Sequence, residues 1–130
     1  MIPVFEPDIS EEDIRAVADA VRRGEISGSF GESIPSFERD FAGYCGRRHG
    51  VSVTSGTTAL HLAVAALGIG PGDEVLVSAS TNVATALAVY HLGAVAVPVD
   101  SEERTWNLDV DLIEGLIGPR TRAIIPVHLF

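Results

Sequence analysis

The chain has 130 residues, 46% hydrophobic and 21% charged, with thirteen glycines and seven prolines. This is long enough for one domain with a core, and the profile is that of a soluble globular protein, not a disordered or collagen-like one. A formal net charge of −9, with nine arginines and no lysine, argues against a broad basic surface for nucleic acid.

The opening, Met1-Ile2-Pro3-Val4-Phe5-Glu6-Pro7-Asp8, lacks the basic start and apolar run of a signal peptide. No apolar stretch is long enough for a membrane span. Ser10 before Glu11, Glu12 and Asp13 marks a helix start, with a capping hydroxyl and carboxylates at the positive end of the dipole. Ile14, Val17, Ala18 and Val21 follow at helical spacing, and Gly24 can end the run. Residues 24–31 read as a Gly/Ser-rich loop. A second helix starts at Ser33 and Pro35, with Phe37, Phe41 and Tyr44 on one face.

From residue 50 the pattern changes. Val51-Ser52-Val53 is predicted as a short strand, and Thr58 to Leu67 as a helix stopped by Gly68. Pro71-Gly72-Asp73 is a turn before a strand, Glu74 to Val77. Val83 to Leu92 is a helix closed by Gly93, and Val95 to Val99 a strand. Asp109 caps a helix through Leu116, and Ala123 to Val127 is the last strand. Strands alternating with helices of about ten residues predict an α/β fold with a mostly parallel sheet and helices on both faces. The sequence stops at Phe130 just after a strand, so a truncated domain is expected.

The segment Ser55-Gly56-Thr57-Thr58 between strand and helix has the makings of an anion cradle. The first N–H groups of a helix lack internal partners, and its dipole favours negative charge there. Gly56 lets the backbone approach a ligand, and Thr57 and Thr58 add hydroxyls. The plainer reading is that Ser55 or Thr57 only caps the helix. A Walker loop is excluded by the missing lysine. Gly68, Gly70 and Gly72 precede a strand rather than come after one, so they are not a dinucleotide fingerprint.

Other candidates weigh toward structure. Cys45 is single and reads as a small buried apolar group in a reducing cytosol. His61 reads as packed, and His49 and His91 as solvated. His128 is a candidate to face a ligand at the end of the last strand, Asp100 reads as peripheral, and Trp106 as a loop anchor. No zinc spacing and no Gly-x-Ser-x-Gly elbow occurs.

The chain resembles the DegT/DnrJ/StrS family of pyridoxal-phosphate sugar aminotransferases along its whole length. Ile2-Pro3-Val4 through Pro7 resembles the family's opening, and Gly31-Glu32 through Phe37-Glu38 its next segment. Ser55-Gly56-Thr57-Thr58-Ala59-Leu60-His61-Leu62-Ala63 resembles its "SGTxALhlAl" signature. Gly68 to Val75, Thr81 with Ala84-Thr85-Ala86, Gly93 to Asp109, and Arg120 to Leu129 continue the match in order.

This resemblance implies the N-terminal part of a fold-type I large domain, with residues 1–49 a helical arm and 50–130 βαβ units. It implies pyridoxal 5′-phosphate, a cytoplasmic homodimer, and transfer of an amino group, usually from glutamate, to a nucleotide-linked keto sugar. By position, Gly56, Thr57 and Thr58 would hold the cofactor phosphate, and Asn82 stands where the family places an aromatic residue against the ring. An amide there gives up aromatic stacking. The Schiff-base lysine, a ring-pairing aspartate and a phosphate-binding serine are expected beyond Phe130, so no catalytic residue is assigned within the chain. A related sugar dehydratase and a non-catalytic α/β ligand-binding module are the alternatives.

Overall fold

The computed structural model describes residues 6–28 and 30–129. The opening Ile2-Pro3-Val4, Ser29 of the predicted loop, and Phe130 lie outside these residues. The chain divides into two compact units, Met1–Ser52 and Val53–Phe130.

In the first unit α1 spans Glu11–Arg22 and begins with a full capping box. The Asp13 N–H donates to Ser10 Oγ at 3.2 Å, and the Ser10 N–H donates to Asp13 Oδ2 at 2.8 Å. Gly24, at φ +77°, takes the left-handed conformation that ends the helix. α2 spans Ser33–Tyr44. Its start is tied to the preceding loop by Glu25, whose carboxylate accepts from the Ser33 N–H at 3.1 Å and from the Ser33 hydroxyl, and pairs with Arg23 Nε at 2.7 Å. The Arg23 hydrogen bond, then that from Ser33, holds the Glu25 carboxyl down at about 2. Gly31 is required beside it: φ is +99°, and a Cβ would lie 2.3 Å from Glu25 Cγ.

The predicted strand at residues 51–53 does not form. The Ser52 N–H, which a ladder would have used, donates instead to Glu38 Oε1 at 2.7 Å, and the Ser52 hydroxyl does so at 2.9 Å. A local carboxylate on α2 takes the donor that strand pairing needs.

The second unit runs α3 (Gly56–Ala66), β1 (Glu74–Ser78), α4 (Ala84–Tyr90), β2 (Val95–Val99), one 3-10 turn (Val110–Leu112), α5 (Ile113–Leu116) and β3 (Thr121–Ile125). The strands form a parallel sheet in the order β2-β1-β3. β1 is apolar on both sides because both are buried. Val75 and Val77 pack with Val64 of α3 and Val89 of α4. Leu76 points the other way, against Val99 and Leu108, with Ile113 alongside. Burying each of these side chains contributes about 1.5–3 kcal/mol. The fold is therefore α/β with a parallel sheet and helices, as the alternating pattern predicts.

Several boundaries shift by one or two residues from the predicted ones, and two of the differences have a clear local cause. The helix after Asp109 is one 3-10 turn continued by four α residues. Asp109 caps only the Asp111 N–H (3.0 Å), and Gly115 lowers the helix propensity of the next turn. β3 ends at Ile125, not Val127. Pro126 has no N–H for the ladder, and the Val127 N–H donates to Ser78 Oγ at 3.0 Å. Proline also stands in β2. Val95 donates to Asp73 O and Val99 O accepts from Ala79, so Pro98, one residue out of phase, turns its donorless nitrogen to the outer edge.

Candidate anion seat at the start of helix α3

Ser55 is the N-cap of α3, with extended backbone at φ −162°, ψ 161°. Its Oγ accepts the Thr58 N–H at 3.2 Å, its carbonyl accepts the Ala59 N–H at 3.0 Å, and its Oγ lies 3.0 Å from Thr58 Oγ1. Ser55 is thus the helix cap, as the plainer reading expects. The cap consumes the Thr58 N–H, while the N–H groups of Gly56 and Thr57 have no partner among the described residues. These two donors stand at the positive end of an 11-residue helix with no acid in its first turn. Gly56 and Thr58 are exposed and Thr57 is half-buried. A Cβ on Gly56 would meet nothing within 4 Å, so nothing among the described residues requires a glycine there. The space a side chain would take is open to a ligand. Two free amides, two hydroxyls and a helix dipole form a donor set that fits a phosphate dianion.

Gly56, Thr57 and Thr58 are thus gathered in one turn. Asn82 lies on a separate element, at the entry to α4, and no hydrogen bond among the described residues joins it to the α3 turn. Its exposed side chain is partly committed: Oδ1 accepts the Ala84 N–H at 3.0 Å, and its carbonyl accepts the Thr85 N–H at 3.1 Å. The hydroxyls of Thr81 and buried Thr85 meet at 2.8 Å and fix the same corner. Asn82 stands one residue before Val83, the N-cap of α4, and its Oδ1 contact is a local turn ahead of the helix. The amide Nδ2 is left without a partner among the described residues.

The other candidate residues divide between packed and exposed positions. His61 is packed, its ring edge-on to that of His91 at 6.1 Å, and its Nδ1 is buried without a partner. His49, His91 and His128 are exposed. Asp100 Oδ1 accepts the adjacent Ser101 N–H at 2.8 Å, a local turn contact. Cys45 is exposed, contrary to the expected burial, because it falls at the C-terminal cap of α2, past the one buried position, Ala42. Trp106 is not the expected loop anchor. It is exposed and in the left-handed region at φ 63°.

The Trp106 loop is held instead by Glu102, which sequence reasoning passed over. Its carboxylate accepts from the Thr105 hydroxyl and from the N–H groups of Arg104 and Thr105, both at 2.7 Å, and these bonds lower its pKa, the Thr105 hydroxyl most. The acid with a threonine three residues later was the available signal. A cleft of about 690 Å³ lies beside this loop at the carboxyl ends of β1 and β2, lined by Ala79, Ser80, Asp100, Ser101, Glu103 and Trp106 among others. Its carboxylates disfavour an anion. No group of three or more metal-ligating side chains occurs among the described residues, and no helix among them is long and apolar enough to cross a membrane.

Residues 7–130 match the DegT/DnrJ/EryC1/StrS aminotransferase family. A GDP-perosamine synthase of Caulobacter vibrioides is 54% identical over 78% of this chain and 28% of its own length. A dTDP-3-amino-3,4,6-trideoxy-alpha-D-glucose transaminase of Streptomyces venezuelae is 46% identical over 99% of this chain and 35% of its own. Among solved structures, S. venezuelae DesV in complex with a ketimine intermediate superposes with a TM-score of 0.80 at 48% identity, covering 92% of this chain and 33% of that one. The chain spans about a third of the length of the curated relatives it matches. The family is one of aminotransferases. With a family match over residues 7–130 and an α/β fold shared with solved aminotransferases, the chain belongs to the DegT/DnrJ/EryC1/StrS aminotransferase family.

Proposed function

We propose that this chain is the N-terminal part of the cofactor-binding domain of a pyridoxal-phosphate aminotransferase, with residues 1–49 a helical arm and 50–130 the βαβ part. The whole protein moves an amino group, usually from glutamate, onto a nucleotide-linked keto sugar, and works as a cytoplasmic homodimer. The observation that carries this reading is the pair of unpartnered N–H groups, Gly56 and Thr57, at the acid-free start of α3. The names of the relatives support the substrate class.

When bound, pyridoxal phosphate supplies the electron-withdrawing ring at which the amino group is exchanged. In this chain Gly56 and Thr57 hold the phosphate through their amides, and Thr57 and Thr58 through their hydroxyls. Asn82 would lie beside the ring, with its amide oxygen already engaged by the Ala84 N–H. The chain contributes no lysine for covalent attachment, so the 130 residues alone are inactive.

The test is fluorescence titration with pyridoxamine 5′-phosphate, which carries an amine where the aldehyde would be and needs no lysine. Saturable binding that inorganic phosphate competes away is expected. No binding at millimolar concentration overturns the reading.

A further inference from the structure

We propose that Ser55 is a positioning residue for the phosphate seat, acting through the Thr58 hydroxyl. The inference rests on the cofactor reading above and goes beyond it, since it concerns a side chain expected only to cap. Ser55 Oγ accepts the Thr58 N–H at 3.2 Å and lies 3.0 Å from Thr58 Oγ1. An oxygen that accepts an N–H still has its own hydrogen to give. Donated to Thr58 Oγ1, that hydrogen satisfies the threonine oxygen and leaves the Thr58 hydrogen to point at an anion. Each bond in such a chain polarises the next. The Thr58 side chain is also held at a single azimuth, whereas the neighbouring Thr57 hydroxyl has no partner among the described residues.

A purely structural Ser55 makes the opposite prediction. It would withhold the Thr58 N–H from the ligand, and removing its hydroxyl would free a third amide and tighten binding. The sign of the change therefore decides between the two roles.

The experiment measures the dissociation constant of pyridoxamine 5′-phosphate for the chain and for Ser55→Ala, Ser55→Gly, Ser55→Thr, Thr58→Val and the Ser55→Gly/Thr58→Val double variant. Glycine caps a helix nearly as well as serine, so Ser55→Gly removes the hydroxyl with the helix start preserved, should the alanine variant fail to fold. Loss of the Ser55 hydroxyl is expected to weaken binding about tenfold, the scale of one hydrogen bond to a charged acceptor. Ser55→Thr is expected to stay within about twofold of the unsubstituted chain, because its hydroxyl is retained. In the Thr58→Val background the same serine change is expected to cost less than about twofold, since the group it acts through is gone. Unchanged or tighter binding in Ser55→Gly, or an equal factor in both backgrounds, overturns the inference while leaving the cofactor reading standing. Failure of the unsubstituted chain to bind at all overturns both.

Discussion

Gly56 separates two demands that usually coincide. Its Cβ position is open, so folding asks little of it, whereas a ligand drawn onto the α3 amides would meet any side chain placed there. Gly56→Ala is therefore expected to change unfolding free energy by under about 1 kcal/mol, in the stabilising direction, because alanine is the better helix residue. The same variant is expected to weaken pyridoxamine 5′-phosphate binding about tenfold, one lost amide contact to a charged group. Urea denaturation and titration on the same sample check the pair, and parallel losses in both would refute the assignment. Asn82 joins the two demands instead. Asn82→Ala removes the acceptor of the Ala84 N–H and is expected to cost about 1 kcal/mol in urea unfolding, whereas Asn82→Asp keeps that acceptor and most of the stability. Equal losses would show that this contact contributes nothing.

At the scale of elements, the junction between α1 and α2 makes a pH prediction. Glu25 titrates at about 2 in the folded chain against an ordinary value of 4.5, chiefly through its hydrogen bond from Arg23 and then those from Ser33. A depressed folded value means the stabilisation is complete above 4.5 and is lost as pH falls from there toward 2. The melting temperature of the unsubstituted chain is expected to fall through that window more steeply than that of Glu25→Gln, with the two curves converging at the acid end. Parallel curves would remove Glu25 from the account.

The same elements show how far sequence carries. The parallel sheet was legible because Val75–Val77 and Val95–Val99 are apolar runs between glycine-stopped helices. The start of α3 was legible because Ser55 is a capping residue directly before a helical run. Residues 51–53 misled because a Val-Ser-Val pattern cannot show that Glu38, fourteen residues earlier, takes the Ser52 N–H. The end of β3 misled because Val127 fits a strand by type, and only Pro126 before it stops the ladder. The Asn82 turn contact is a matter of side-chain direction, which residue type does not specify. The rest of the site was out of reach for a chemical reason, as the lysine that would complete it is not among these 130 residues.

At the scale of the molecule, the absence of lysine is the sharpest constraint. The purified 130-residue chain is expected to show no transaminase turnover with glutamate and a nucleotide-linked keto sugar, and detectable product formation would refute the assignment of the covalent step to residues outside it. The chain also leaves large apolar groups uncovered: Phe37, Phe41 and Tyr44 stack along α2 with centroids 5.5 and 6.3 Å apart, all three exposed. Light scattering is expected to show concentration-dependent association of the isolated chain, and a monodisperse monomer with a sharp reversible melt would contradict this.

Pro98 gives the sheet a direction of growth. On its outward rim β2 presents the Ala96 amide and then a nitrogen that cannot donate, so an incoming polypeptide would find a broken row of contacts there. The opposite strand, β3, has no proline between Thr121 and Ile125, although its register shifts by one residue at Arg122. Extension of the lamina, by whatever segment supplies it, is thereby steered to one flank, and a single imino acid keeps the other flank from recruiting strangers.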